Sequence, residues 1–311
     1  MNLRVPETAE EARRSHVEAP VFRRALLWGL RNVPLSTQEA SLPGWATLFY
    51  LQVPHVRRAL EANLAHLTGL GFPWLQAAAF GAFVNYCRSV ASAYRLHAGL
   101  ESGVRVSVEG RHHLEAALAA GRGAILATGH LGHWQVGPYL LRDERLPPTT
   151  VVMAEEPHEG VQALEGELRD SRLRVVYPAR TPFLGLALRA ALAKGEFVAL
   201  QMDRPSSAGG VEVACLGGVA TFAAGPAQLA RLCGAPVVPA YFPRVGDEVR
   251  VLIEPALWSR PGVAPEVAER ELTARLAESY GRQVRAHPEQ WYNFYRFWRE
   301  PEGSEDAHAR G

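Results

Sequence analysis

The sequence predicts an α/β protein: a mostly parallel central sheet flanked by helices, preceded by an N-terminal helical segment. Two observations carry this. From about residue 102 onward, short β-rich runs alternate with helical patterns of 10–15 residues, the rhythm of parallel strands joined by crossover helices. Before that point the apolar periodicity is helical only. A chain of 311 residues with 48% hydrophobic content is long enough to bury a large core within one such domain.

Residues 1–18 are polar and are expected to be disordered. The stretch VFRRALLWGL then reads as a short amphipathic helix that Pro34 would end. VRRALEANLAHLTG places Leu60, Leu64 and Leu67 at helical spacing, with Gly69 as C-cap. WLQAAAFGAFVNYCRSVASAYRL is a long apolar helix. VRVSVEG then reads as a strand, HHLEAALAAG as a helix, AILAT (124–128) as a buried strand and GHLGHWQVGPYLL as the helix that follows it. TTVVMA (149–154) is a strand, EEPHEGVQALEGELRD a helix, LRVVYPA (173–179) a strand and LGLALRAALAKG a helix. FVALQMD (197–203) is a strand followed by a Gly-rich loop. GPAQLARLCG is a helix, APVVPAYFPR and VRVLIEPA are strands, and a last helix runs through VAERELTARLAESYGRQVRAHPEQW. The tail after residue 300 reads as mobile.

Composition removes several classes. A formal net charge of +1 argues against a nucleic-acid binder. Cys87, Cys215 and Cys233 are odd in number and form no CxxC, so neither a disulfide framework nor a zinc site is expected. The N-terminus lacks the basic and apolar regions of a signal peptide. The longest uncharged run, 68–87, is broken at its start by Gly69, Gly71 and Pro73. About fourteen residues remain from Trp74, short of the ~20 needed to span a bilayer. No G-x-S-x-G elbow points to a serine hydrolase.

The chemistry concentrates at GHLGHWQ. A buried strand delivers Gly129 and His130 to the sheet's carboxyl edge, where open α/β folds bind ligands. Gly129 and Gly132 remove side chains around His130, so that a substrate can approach. Gln135, five residues on, is in reach of one imidazole nitrogen and would fix the tautomer. His133 and Trp134 complete the candidate substrate-contacting set, with Trp134 also suited to packing. The pair His130-x-x-His133 has no HExxH-type Glu and no third ligand, so no metal is expected.

His130-Leu131-Gly132-His133-Trp134-Gln135 resembles the His-x4-acid motif of glycerolipid and lipid A acyltransferases. It is nearest the His-Phe-Gly-Asn-Trp-Glu form of the lipid A late acyltransferases and the phosphatidylinositol mannoside acyltransferases. Two positions depart: His133 stands for Asn, and Gln135 for the acid. A carboxamide orients an imidazole but does not stabilise its cation, so either Gln135 acts alone or Asp203 or Glu155 supplies the charge.

The resemblance extends through Asp203-Arg204, Gly209-Gly210, Leu216-Gly217-Gly218, Gly225-Pro226-Ala227 and Cys233-Gly234-Ala235-Pro236-Val237-Val238-Pro239. It closes on Pro288-Glu289-Gln290-Trp291 with Arg296 and Phe297, covering about residues 105–300. Arg204 and, after a later strand, Arg244 are candidate phosphate contacts, with a surface ion pair to Asp203 as the other reading of Arg204. Gly217-Gly218 lies where relatives shape the acyl-donor site, and reads equally as an ordinary hairpin turn. The aromatic cluster from Trp291 to Trp298, beside Arg296 and Arg299, suits either a membrane interface or core packing.

The resemblance implies a glycerol-3-phosphate-acyltransferase-like fold, with a membrane-apposed helical segment over 1–100, the acyltransferase domain over 101–300 and the tail over 301–311. It implies transfer of a fatty acyl chain from acyl-carrier protein or acyl-CoA to a hydroxyl or amine of a (glyco)lipid acceptor. His130 would be the general base, with Gln135 and Asp203 as its supports. No cofactor is needed beyond the thioester co-substrate, and no nucleic acid is a partner. The implied location is the cytoplasmic face of the inner membrane, peripherally attached through basic and apolar faces. Acylation of a lysophospholipid or other lipid, and an inactive lipid- or carrier-binding homologue that has lost the motif acid, stand as alternatives.

Overall fold

The structure is a computed structural model that describes residues 28–101, 103–140, 145–153, 172–205 and 209–299. Three helices come first: α1 (Leu35–Gln52), α2 (Pro54–Thr68) and α3 (Trp74–His97). Pro34 precedes α1 as its N-cap, and α1 accommodates Pro43 within its 18 residues. Gly69 closes α2 in the left-handed conformation, φ 70°, as a C-cap glycine should. Ala46, Leu60, Leu64, Ala79, Ala82 and Phe83 form a core shared by the three helices. Among the described residues no helix is long and apolar enough to cross a membrane.

The rest is the alternating α/β body: β1 (Arg105–Glu109), α4 (Arg111–Ala119), β2 (Ala124–Thr128), α5 (Gly137–Leu140), β3 (Thr149–Val152), β4 (Leu173–Val176), α6 (Leu184–Ala193), β5 (Phe197–Gln201), β6 (Gly210–Cys215), β7 (Gly218–Ala223), α7 (Gly225–Cys233), β8 (Val237–Tyr241), β9 (Arg244–Val245), β10 (Glu248–Ile253) and α8 (Pro265–Ala286). The main sheet has the order β1-β10-β8-β2-β5-β3-β4, with β9 hanging on β10. Every neighbour pair in that order is parallel except β10–β8. Helices α6, α7 and α8 cover a continuous core that includes Ile125, Val198, Val237, Leu272, Leu276 and Tyr280.

Three expectations change. The Gly-rich loop after residue 203 contains an antiparallel hairpin, β6–β7, whose turn is Leu216-Gly217 with φ of 54° and 87°. Two consecutive positive φ values between paired strands are the geometry of a tight hairpin turn. Second, no helix begins at His130. Gly132 (φ 65°) pairs with Phe242, and only a 3-10 turn over Trp134–Val136 and the four-residue α5 follow. Third, α8 ends at Ala286, because Pro288 cannot continue it. The helix expected over 155–170 and the termini expected to be disordered lie outside the described residues.

Candidate active site

The site is set by sheet register. Strands β2 and β5 are parallel neighbours with Thr128 opposite Gln201. The ladder runs one step further, Met202 N–H donating to Thr128 O at 2.8 Å. Two residues past each strand end, His130 and Asp203 therefore face each other. Asp203 Oδ2 accepts the His130 backbone N–H at 2.8 Å, and His130 Nδ1 lies 2.9 Å from Oδ1 and 3.1 Å from Oδ2. A carboxylate only accepts, so Nδ1 carries the proton and Nε2 keeps its lone pair. The Asp203 side chain is fully buried, whereas that of His130 is 12% exposed.

Burial alone would raise the Asp203 carboxyl. The charge of His130 and the hydrogen bonds from His130 and Tyr280 outweigh it and hold Asp203 below the usual carboxylate range. Tyr280, on α8, donates to Oδ2 at 2.9 Å and accepts the Trp291 indole N–H at 3.0 Å. Tyr295 O–H donates to the Asp203 carbonyl at 2.7 Å.

Gln135 does not touch this pair. Its Oε1 accepts the Ser89 hydroxyl at 2.5 Å, so it faces α3. The expectation that Gln135 orients the imidazole is corrected: in the folded chain the partner of Nδ1 is Asp203. With no helix over 130–135, the reach of five residues back along a helix is lost.

The two glycines also differ from expectation. A Cβ on Gly129 would lie 2.5 Å from Tyr280 Cε2, and one on Gly132 2.1 Å from the Phe242 carbonyl oxygen. They admit Tyr280 and the β8–β9 turn against the loop; a substrate does not occupy that space. His133 is 1% exposed, so it cannot contact a substrate from where it lies. Burial, with Arg244 and Arg88 nearby, pushes its imidazole down to about 3 and keeps it neutral. Trp134 is edge-on to His130 at 5.1 Å between ring centres and stacks with Tyr86 at 6.4 Å.

The N–H groups of the loop are already committed. Those of His130, Leu131, Gly132 and His133 donate to Asp203 Oδ2, Gly129 O, Gln290 O and Phe242 O. Beside the loop opens a cleft of about 540 Å³ lined by Tyr86, Arg204, Pro205, Phe294 and Tyr295. Arg204 is exposed, its guanidinium 5.4 Å from the Tyr295 ring centre. With Asp203 turned inward to His130, Arg204 is, among the described residues, the cationic side chain that lines the cleft.

The remaining candidates fall elsewhere. Gly217 lies in the hairpin turn and Gly218 opens β7, where a Cβ on Gly218 would strike the Trp298 ring. Arg244 lies 3.7 Å from Glu39 of α1, which also pairs with Arg88 at 2.8 Å. Arg296 is exposed. Trp291 and Tyr292 are 0% and 1% exposed, and Phe297 is 5% exposed, which assigns these rings to the core.

The segment after α8 is the element that sequence reasoning undervalued. Leu131 bridges to Trp291, and Tyr292 N–H donates to the His130 carbonyl at 3.0 Å. Gln290 grips Arg244 at both ends, accepting its N–H at 2.8 Å and donating to its carbonyl at 2.7 Å. Asn63 of α2 holds the same segment through Asn293 O, Tyr295 O and Phe297 N–H. Neither Asn63 nor Tyr280 carries a motif signal. Each is recognisable only once the chain is folded.

Comparison with known proteins places this fold among enzymes that transfer acyl groups. Residues 79–300 match the family of bacterial lipid A biosynthesis acyltransferases. The chain belongs to that family and is an acyltransferase. It is 31% identical over 251 residues to the phosphatidylinositol mannoside acyltransferase of Mycobacterium tuberculosis, spanning 77% of this chain and 76% of that protein. The phosphatidylinositol mannoside acyltransferase of Mycolicibacterium smegmatis is 31% identical over 222 residues, 69% of this chain and 70% of its own.

Proposed function

We propose that the chain moves a fatty acyl group from a thioester, acyl-carrier protein or acyl-CoA, to a hydroxyl of a glycolipid, with His130 as general base and Asp203 as its carboxylate. The observation that carries this is the buried pair, Nδ1 to Oδ1 at 2.9 Å with Asp203 fully enclosed. Nε2 takes the acceptor proton as the oxygen attacks the thioester carbonyl. Asp203 balances the imidazolium that forms, and the proton then leaves with the thiolate. With the 130–133 amides engaged, the developing oxyanion or a donor phosphate falls to Arg204 at the cleft. The acceptor in the relatives' names, a phosphatidylinositol mannoside, supports a sugar hydroxyl on an anionic lipid.

The inactive-homologue alternative rested on Gln135 alone, and Asp203 supplies the missing charge. The membrane side of the proposal rests on exposed Trp45, Leu48 and Leu51 of α1 together with Phe72 and Trp74, which are 84% and 70% exposed. Such rings and aliphatic chains insert at a bilayer interface. The test incubates purified protein with palmitoyl-CoA or palmitoyl-acyl-carrier protein and a panel of phosphatidylinositol mannosides, lipid A precursors and lysophospholipids, read by mass spectrometry. A product lost in His130→Ala is expected. Turnover that survives that change would sink the general-base assignment.

A further inference from the structure

We propose that Tyr280, with Trp291 behind it, is a positioning residue that sets the basicity of the His130–Asp203 pair. The inference rests on the function proposed above and names a residue that neither the motif nor the family match singles out. Four contacts close a circuit: His130 to Asp203, Asp203 to the Tyr280 hydroxyl, that hydroxyl to the Trp291 indole, and the Trp291 backbone to Leu131, next to His130.

Tyr280 is 0% exposed, and its ring is fixed on three sides. It fills the space that a side chain on Gly129 would need, meets Phe222 edge-on at 6.0 Å and lies 6.3 Å from the Tyr241 ring. The hydroxyl therefore has one geometry. It donates to the oxygen of Asp203 that also accepts the His130 N–H, which leaves Oδ1 as the nearer partner of Nδ1.

A donor on a carboxylate withdraws charge from it, so the carboxylate holds an imidazolium less tightly. The indole N–H polarises the phenol and strengthens that donation. Tyr280 thereby keeps Asp203 ionised but restrained, and His130 is released from its proton at lower pH than a bare carboxylate would allow. The ionisable groups around Asp203 are His130 on the β2 loop, Arg204 beside it, Tyr280 on α8, Tyr295 on the closing segment and Tyr241 on β8. Burial raises all three tyrosines, which stay neutral throughout the working range.

The test reads His130 directly. Full-length protein is treated with diethylpyrocarbonate from pH 5 to 8.5, and the rate of modification at His130 is followed by peptide mass spectrometry. Tyr280→Phe keeps the ring against Gly129 and removes only the hydroxyl. Its midpoint for His130 is expected to rise by about half a pH unit or more. Trp291→Phe should move it the same way by less, and Asp203→Asn should move it down. Other histidines should keep their midpoints in all three. An unmoved midpoint in folded Tyr280→Phe, beside a shifted one in Asp203→Asn, would overturn the role of Tyr280 and leave the pair intact. No shift in Asp203→Asn would instead remove the pair itself.

Discussion

Asp203→Asn is the most informative single change. Three donors converge on the carboxylate: the His130 N–H, the His130 Nδ1–H and the Tyr280 hydroxyl. An amide offers one accepting oxygen and one donating nitrogen in their place. If the oxygen keeps the backbone N–H and Tyr280, the NH2 group points at Nδ1. The imidazole then turns to its other tautomer, with the proton on Nε2, and cannot act as a base. The same exchange in a serine-protease triad lowers kcat by roughly 10⁴ through this tautomer effect. A fall of roughly 10³–10⁴, or about 4–5.5 kcal/mol of barrier, is expected here with KM little changed.

Stability gives a second check with a defined sign. Asp203 is held below the usual carboxylate range when folded, so its charge stabilises the fold above that range. The contribution disappears as pH falls through its lowered folded value. Asp203→Asn should therefore melt below wild type at pH 7, with the gap narrowing as pH falls below the usual carboxylate range. The assay is single-turnover acyl transfer from radiolabelled palmitoyl-CoA, with circular dichroism melts beside it. Wild-type turnover in a folded Asp203→Asn protein would refute the reasoning outright.

Gln135→Glu restores the acid of the resembling motif, but the side chain it replaces is bonded to Ser89, away from His130. Its turnover should stay within about threefold of wild type, and a large gain would show that position 135 reaches the imidazole after all. Asn63→Ala leaves two carbonyls and one N–H of the closing segment without partners. It should cost about 3 kcal/mol in urea unfolding and reduce kcat as Tyr292 and Tyr295 loosen. His133 is driven down to about 3 by burial, with help from Arg244 and Arg88, so the folded state refuses a proton that the unfolded chain takes up below about pH 6.5. Wild type should thus lose stability as pH falls from 6.5, and His133→Phe should lead it by about 2 kcal/mol at pH 5 (roughly 1.5 units at about 1.4 kcal/mol each); parallel pH curves for the two proteins would rule this out.

Much of the fold was legible because the strands that build it are continuous apolar runs. AILAT, FVALQ and VVPAY lie side by side at the centre of the sheet, and such runs admit few other readings. The β6–β7 hairpin was legible only as a possible turn at Gly217-Gly218, and its strands read as loop. Each strand is preceded and opened by glycine, Gly209-Gly210 and Gly217-Gly218, and glycine is a loop signal whenever the partner strand is unknown. The helix expected at His130 failed for a related reason. Helical spacing was present, but Gly132 is held at positive φ by pairing with Phe242, more than a hundred residues away in sequence. A long-range bridge of this kind has no local trace.

The same contrast explains why the sequence leaves Gln135, Asp203 and Glu155 open as the support of His130, whereas the fold pairs His130 with Asp203. A motif read along the chain seeks the partner of His130 a fixed number of residues ahead, and finds Gln135. A parallel sheet offers a second route, because residues equally far past the ends of neighbouring strands are brought together whatever their separation in sequence. His130 and Asp203 are such a pair, 73 residues apart and in register across β2 and β5. The sheet, Tyr280 and the segment from Gln290 to Tyr295 all hold Asp203 or the His130 loop, whereas Gln135 is tied to the N-terminal helices through Ser89. Gln in place of an acid at position 135 therefore keeps a link to α3 and leaves the His130–Asp203 pair untouched. The proposed mechanism asks for an acid two residues past β5, and not at position 135.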